Sequence, residues 1–188
     1  GGSGGGAGGG AETPASMASD AEGSAEGSAA PRSFLVIANV AKKPNVKTLF
    51  VTAVAFGIDC VVIVGQPTFS IKTHVPACLI NAEGEVGRIG IKRVADLTEC
   101  RAFLHEHGAL LYGIEIADGA INLEEARFEE KCAFMMGNEG SGMNTQQLAA
   151  CDRFVYIPQY GGGTASLNVA NATGVVLHKF FTSRTEAS

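Results

Sequence analysis

Large apolar side chains are almost absent from the first thirty residues, which are mainly glycine, alanine, serine and acidic residues with one methionine, Met17. Such a segment cannot bury enough apolar surface to offset the entropy lost on ordering it. It lacks an apolar stretch behind a basic start, and its acids outnumber its one base, Arg32. We therefore expect neither a secretory signal nor a mitochondrial transit peptide. The composition predicts a flexible tail over residues 1–33 and one globular domain over residues 34–184.

Long apolar runs and a strong net charge are also missing from the chain. No run approaches the length of a membrane span, so we expect no membrane partner. The formal charge is −5, but removing the tail's four acids and one base from the totals of 19 and 14 leaves 15 acids and 13 bases. A nearly neutral domain neither requires nor excludes RNA, because a local basic patch is enough to guide a phosphate backbone.

Closely spaced cysteine pairs are absent as well. The number of cysteines is five, which is odd, and their spacing fits neither a zinc knuckle nor a redox dithiol. Several lie in apolar runs, where a free cysteine packs as a small hydrophobe. His105 and His107 have no further ligand at a suitable spacing, so we predict no metal site. Free thiols favour a reducing compartment, with the cytoplasm ahead of the nucleus or an organelle.

Short apolar runs alternate with segments of helical periodicity along the rest of the chain. The runs predict strands at residues 34–38, 60–64, 110–116, 131–136 and 154–157. The periodic segments predict helices at residues 46–57, 94–105, 144–150 and 166–181, and we expect an irregular loop over residues 70–90. Buried strands that alternate with helices are typical of an α/β domain with a mostly parallel sheet flanked by helices.

Glycine marks three positions in or after the predicted strands, namely Gly113, the segment 137–142 and the segment after Ile157. Ligands of open α/β sheets bind at the carboxyl ends of strands, and glycine lets the backbone approach a ligand closely. The segment 137–142 (GNEGSG) is therefore a possible ligand cradle, although such a segment is equally often only a turn. Residues 161–165 lack the Lys-Ser/Thr pair of a phosphate-binding loop, and residues 44–47 lack the glycines of a dinucleotide fingerprint.

Three segments together are more informative than any one of them. They are residues 45–57 (NVKTLFVTAVAFG), residues 134–142 (FMMGNEGSG), and residues 157–161 (IPQYG) with 166–170 (SLNVA). In order and spacing they resemble the three motifs of the SpoU class of the SPOUT superfamily, which are RNA 2′-O-ribose methyltransferases. The resemblance extends over residues 34–181.

This resemblance implies a C-terminal deep trefoil knot, a rare exception to the rule that protein chains are not knotted. It also implies an S-adenosyl-L-methionine site and a homodimer that binds tRNA or rRNA across both subunits. Carried over to this chain, the residues expected to contact or line the cofactor site are Glu115, Gly137, Asn138, Ile157 and Leu167.

The resemblance assigns catalysis to Asn45, Glu139, Ser166 and Asn168. Methyl transfer needs the ribose hydroxyl to be held close to the donor and relieved of its proton. From the residues alone, a structural role is as well supported for three of the four. Ser166 and Asn45 are good N-caps for the helices that follow them, and Glu139 suits a solvent-facing loop.

The first segment departs from the motif of the class, which reads Asn-x-Gly-x-x-x-Arg. Lys47 stands in place of the glycine and Val51 in place of the arginine, and valine has no donor or charge to replace a guanidinium. Lys42, Lys43 and Lys47 could contact RNA phosphates, although solvated lysines fit the pattern as well. The missing arginine keeps open a second function, that of a catalytically silent homologue acting as an RNA-binding or scaffolding dimer.

Overall fold

The computed structural model describes residues 32–38, 40, 42–138, 140–161 and 166–185. Its strands are β1 (Ser33–Ala38), β2 (Cys60–Val64), β3 (Gly90–Val94), β4 (Leu110–Ile114), β5 (Ile121–Asn122), β6 (Cys132–Met136) and β7 (Arg153–Tyr156). Its α-helices are α1 (Lys43–Phe56), α2 (Ile71–His74), α3 (Leu97–Glu106), α4 (Thr145–Ala150) and α5 (Val169–Thr185), with a 3₁₀ turn at Ala77–Leu79.

The strands form one sheet in the order β3-β2-β1-β6-β4-β7-β5, and every pairing between them is parallel. All residues of β1, β2 and β6 are buried, as expected for strands covered on both faces. The α/β class and the mostly parallel sheet predicted from the sequence are confirmed.

Alternate residues of the central strands face two separate apolar layers. On one face, Leu35 and Ile37 pack with residues of α1 and α5, including Phe50 and Phe180. On the other face, Phe34 and Val36 pack with residues of α3 and α4, which include Cys100, Leu104 and Ala150. The fold is therefore three layers deep, with the sheet between two pairs of helices. No helix within the described residues is both long enough and apolar enough to cross a membrane.

Two strands, β3 and β5, were not predicted. Only one residue of β3 is buried, and β5 has two residues at the opposite edge of the sheet, so neither carries an apolar run. Val94, predicted to start a helix, is the last residue of β3, and α3 begins at Leu97. The segment 70–90, predicted to be irregular, contains α2 and the 3₁₀ turn.

The start of α1 also differs from the prediction. The helix begins at Lys43 with Lys42 at the N-cap position, and Lys42 makes no side-chain cap hydrogen bond. Pro44 lies in the first turn, where a residue without an N–H is tolerated. Asn45 is therefore inside the helix, and its predicted role as the N-cap is wrong.

Candidate functional site

A cavity of about 630 Å³ opens at the carboxyl ends of β4, β6 and β7, which are neighbours in the sheet. Its volume lies within the range of roughly 300–1,000 Å³ typical of small-molecule sites. The walls come from the ends of the three strands, the loop after β6 and the segment that leads into α5. Apolar wall residues are Ile114, Ile116, Met136, Met143, Leu148, Ile157, Leu167 and Val169.

The loop after β6 is shaped by its own backbone. The N–H groups of Asn138 and Gly142 each donate to the other residue's carbonyl, and both N···O distances are 2.9 Å. The N–H of Gly140 donates to Oδ1 of Asn138 at 2.9 Å. Gly142 has φ 66°, a conformation that side-chain-bearing residues rarely adopt. The segment is therefore a tight turn whose backbone faces the cavity.

Glu115 joins this loop to the end of β4. Its Oε2 accepts from the N–H of Met143 at 2.9 Å, and its Oε1 accepts from the N–H of Ile116 at 3.0 Å. A Cβ added at Gly142 would lie 2.5 Å from Oε2, and one added at Gly137 would lie 3.0 Å from it. The carboxylate therefore holds the loop in place and occupies the space beside Gly142, whereas at Gly137 the loop's own backbone leaves no room for a Cβ, which would lie 2.8 Å from the carbonyl carbon of Gly142.

The residues predicted to bind the cofactor come together in this structure. Glu115, Gly137, Asn138, Ile157 and Leu167 all line the cavity, although they belong to four separate segments of the chain. Ser166, predicted to be catalytic, lines the same cavity. Glu139, also predicted to be catalytic, lies outside the described residues.

Asn45 and Asn168 lie beside each other, and neither is among the residues that line the cavity. Nδ2 of Asn168 approaches Oδ1 of Asn45 to 3.4 Å, which links α1 to the start of α5. Oδ1 of Asn168 also accepts from the N–H of Ala170 at 2.9 Å, and its carbonyl accepts from the N–H of Ala172. Asn168 is thus the residue that caps α5, so the capping role predicted for Ser166 is wrong.

The lysines proposed to meet RNA lie around the start of α1. Lys42, Lys43 and Lys47 are all exposed, as expected of solvated or ligand-facing cations. Val51, one turn beyond Lys47, leaves 44% of its surface exposed. The position of the missing arginine is therefore accessible on the outside of the helix.

Gly113 is a packing residue and not part of a ligand loop. It lies inside β4, and a Cβ there would come within 2.8 Å of Sγ of Cys151 and 2.7 Å of the Phe154 ring. Burial raises the pKa of the Cys151 thiol to about 12, and it raises the pKa of Cys100 and Cys132 to the same value. These thiols are protonated at neutral pH and are unsuited to nucleophilic catalysis.

Part of the cavity wall was not predicted from the sequence. Ile116, Ala117 and Asp118 follow β4, Ser141 and Met143 belong to the glycine loop, and Gln159 follows β7. Their position after strands was a usable signal, but only the order of the strands shows which strand ends are adjacent. In the part of the chain that the structure describes, no three His, Cys, Asp or Glu side chains are grouped as metal ligands.

The sequence of the chain is similar to that of known proteins. The sequence model of the SpoU rRNA Methylase family matches residues 32–178. The 23S rRNA (guanosine(2553)-2′-O)-methyltransferase RlmP of Bacillus subtilis is 33% identical over 153 residues, which cover 80% of this chain and 58% of that protein. The 23S rRNA (guanosine-2′-O-)-methyltransferase RlmB of Xanthomonas campestris is 29% identical over 143 residues, covering 76% of this chain and 55% of that protein.

Solved structures share the fold. The crystal structure of an AdoMet-bound rRNA methyltransferase from Sinorhizobium meliloti matches with a TM-score of 0.66 and 24% identity, covering 81% of this chain and 58% of that one. This chain spans little more than half the length of each of these three proteins.

Proposed function

Since the chain belongs to the SpoU rRNA Methylase family, we propose that it transfers a methyl group from S-adenosylmethionine to a ribose 2′-hydroxyl of tRNA or rRNA. The observation that carries the proposal is the single cavity on which the second and third motif segments converge. The names of the relatives support the 2′-hydroxyl as acceptor, because RlmP and RlmB are 2′-O-methyltransferases.

The cavity fits S-adenosylmethionine, which supplies a sulfonium-bound methyl group when it is bound. An adenine ring needs an apolar slot with backbone polar groups at its edge, and Ile157 and Leu167 provide apolar walls on chain segments without regular secondary structure. Gly137 and Gly142 bring backbone to the cavity surface without side chains. Asn138 holds the turn and adds a polar group to the wall.

The acceptor ribose would approach from the side of Ser166 and the Asn45–Asn168 pair. Ser166 Oγ can donate to or accept from a ribose or phosphate oxygen, and the amide of Asn168 offers a donor near the start of α5. Glu139, which the sequence places in the glycine segment 137–142, is the titratable group that we propose as proton acceptor for the hydroxyl. Lys42, Lys43 and Lys47 would contact phosphates, which sets the register of the RNA without reading its sequence.

We further propose the trefoil knot and the homodimer of the SpoU class for this chain. Ser166 and Leu167, which lead into α5, line the cavity together with the loop after β6, an arrangement that a threaded C-terminus would produce. α5 packs against α1 across one face of the sheet. In the proposed dimer, RNA lies across both subunits.

Calorimetric titration with S-adenosylmethionine tests the cofactor site. We expect the wild-type chain to bind it and Leu167→Asp to bind at least about 100-fold more weakly, because a carboxylate placed against an apolar ring loses its hydration without gaining a partner. Ile121→Asp is the matched control, since Ile121 is a similarly exposed apolar residue outside the cavity wall. Failure of the wild-type chain to bind, or normal binding by Leu167→Asp, would contradict the proposal.

Val51→Arg tests whether the missing guanidinium limits catalysis. We expect methyl transfer to RNA to rise roughly tenfold or more, because the substitution restores a charged donor at an exposed position of α1. Transfer of tritium from labelled S-adenosylmethionine measures the rate, and Val51→Met controls for side-chain size. Cofactor binding without transfer in both the wild type and Val51→Arg would instead favour the silent, RNA-binding homologue.

A further inference from the structure

Two exposed apolar side chains line the cavity, and a third, Tyr160, is next in sequence to one of its wall residues. Among the described residues, six large hydrophobic side chains are exposed, and Tyr160 at 82% and Ile116 at 78% are the most exposed of them. Ile116 and a third member, Leu167, line the cavity. Tyr160 directly follows Gln159, another wall residue, so their Cα atoms are about 3.8 Å apart. An apolar surface grouped in this way usually marks a contact site.

The ring of Tyr160 is held in position although it is exposed. Its hydroxyl donates to Oε1 of Glu124 at 2.9 Å. The N–H of Glu124 in turn donates to Oδ1 of Asn122 at 3.0 Å, and the N–H of Leu123 donates to the carbonyl of Tyr156 in β7 at 2.9 Å. The hydrogen bond to Glu124 raises the pKa of Tyr160, and a tyrosine hydroxyl is a donor at neutral pH even without such a shift.

We propose that Tyr160, braced by Glu124, is a stacking platform for an unpaired base of the RNA substrate next to the ribose that is methylated. The inference rests on the proposed function, because a ribose that reacts at the cavity mouth brings its own or a neighbouring base to the residues around that mouth. Proteins that read single-stranded RNA stack its bases on aromatic rings. A ring that is already held loses less conformational entropy on binding than a mobile one.

The alternative ligands at this surface differ in chemistry from a base. A phosphate would seek cations, but the group that contacts Tyr160 is the carboxylate of Glu124, which repels phosphate. The nucleobase face is uncharged and polarisable, so it tolerates the carboxylate at the edge of the ring. The platform is therefore suited to the base and not to the RNA backbone.

The first test compares two RNA ligands. Fluorescence anisotropy of a labelled single-stranded RNA of mixed sequence should show Tyr160→Ala binding roughly 5- to 100-fold more weakly than the wild type. A strand of the same length with abasic sites keeps the phosphates but offers no bases, and both proteins should bind it equally. The dependence of affinity on salt should be unchanged in Tyr160→Ala, because no phosphate contact is lost.

The second test isolates the brace. Tyr160→Phe removes the hydrogen bond but keeps the ring, and Glu124→Ala does the same while also removing a negative charge. Tyr160→Phe relative to the wild type, and Glu124→Ala relative to Glu125→Ala, should therefore weaken RNA binding by a similar factor, smaller than that of Tyr160→Ala. The double variant should bind like Glu124→Ala, because both substitutions remove the same hydrogen bond. Glu125→Ala is the control for the loss of a negative charge at the neighbouring exposed position.

The outcomes that overturn the inference are distinct from those that overturn the proposed function. Equal binding of intact RNA by the wild type and Tyr160→Ala, equal losses on intact and abasic RNA, or no RNA binding by the wild type would each reject the platform. Preserved RNA binding with loss of self-association in Tyr160→Ala would show a protein contact instead. Calorimetric titration with S-adenosylmethionine tests the cofactor site independently of all these measurements.

Discussion

The carboxylate of Glu115 connects the glycine loop, which forms one wall of the cavity, to the end of β4. It accepts from the backbone of Met143 across the glycine loop, and it occupies the space that a side chain at Gly142 would need. Met143 is buried, so its N–H would be left without water or another acceptor if the carboxylate were lost. We therefore expect Glu115 to act on a bound cofactor through the loop, as a positioning residue.

Gly142→Ala should therefore damage both the fold and the cofactor site. The added Cβ would lie 2.5 Å from Oε2 of Glu115 in a backbone with φ 66°. We expect the free energy of unfolding to fall by about 1–3 kcal/mol. We also expect the affinity for S-adenosylmethionine to fall at least about tenfold, because the loop must shift. Urea unfolding and calorimetric titration measure the two effects.

Gly84→Ala provides the matched control for this substitution. Gly84 also has a positive φ, 86°, but a Cβ there would meet no heavy atom within 4 Å. It should show the backbone strain alone, with unchanged cofactor affinity. If the two variants behaved alike in both measurements, the steric role of Glu115 would be wrong.

The start of α5 is the secondary-structure feature on which the acceptor side depends. Asn168 caps this helix by accepting from Ala170 and also donates toward Asn45 in α1. The two residues before it, Ser166 and Leu167, line the cavity. One asparagine therefore holds the first turn of α5 and connects it with the helix that carries Val51.

Substitutions of Asn168 should separate capping from catalysis. Asn168→Ala should lower the free energy of unfolding by about 0.5–2 kcal/mol, because the N–H of Ala170 loses its acceptor. Asn168→Asp keeps an acceptor and places a negative charge where a helix N-terminus favours it, so stability should be retained. It lacks the amide donor, so methyl transfer should fall in both variants. Full transfer by Asn168→Asp would mean that Asn168 acts only as a cap.

In the molecule as a whole, the helix that carries Val51 and the cavity lie on different parts of the three-layered fold. α1 and α5 cover one side of the sheet, and the strand ends that form the cavity lie at its edge. Thr52 of α1 and Gly174 of α5 face each other, since a Cβ on Gly174 would lie 4.0 Å from the Thr52 methyl. Val175, next to Gly174 in sequence, is exposed on α5.

We expect the second copy of the chain to bind at the exposed surface of α5 around Val175. Val175→Lys should shift the chain from dimer to monomer in analytical ultracentrifugation, because burying a lysine in an apolar contact costs free energy without a partner. The melting temperature measured under monomeric conditions should be little changed, since Val175 is exposed. Thr98→Lys on α3, across the sheet, is the control. A stable Val175→Lys dimer would contradict the assignment of this surface.

Local pattern was enough to predict elements that have an unbroken apolar run or clear cap chemistry. Strands β1, β2 and β6 are unbroken apolar runs, and Asn144 caps α4 in a capping box that includes Gln147. In such segments the spacing of apolar residues and the capping residues are properties of the local sequence, so the element can be predicted without knowing which segments pack against it. The expected cofactor residues, among them Gly137 and Leu167, were predicted from the resemblance to the SpoU motifs and not from periodicity.

Contacts between distant segments decided the rest. β3 and β5 are strands because β2 and β7 offer them backbone partners, not because their own side chains are apolar. Asn45 lies inside α1 because that helix begins two residues earlier, at Lys43. Asn168 is the cap of α5 because that helix begins at the next residue, Val169. The neighbours of β4 in the sheet bring Ile116 and Gln159 to one cavity. Periodicity along a chain records which faces are buried, whereas the order of parallel strands depends on long crossovers that leave no local signature.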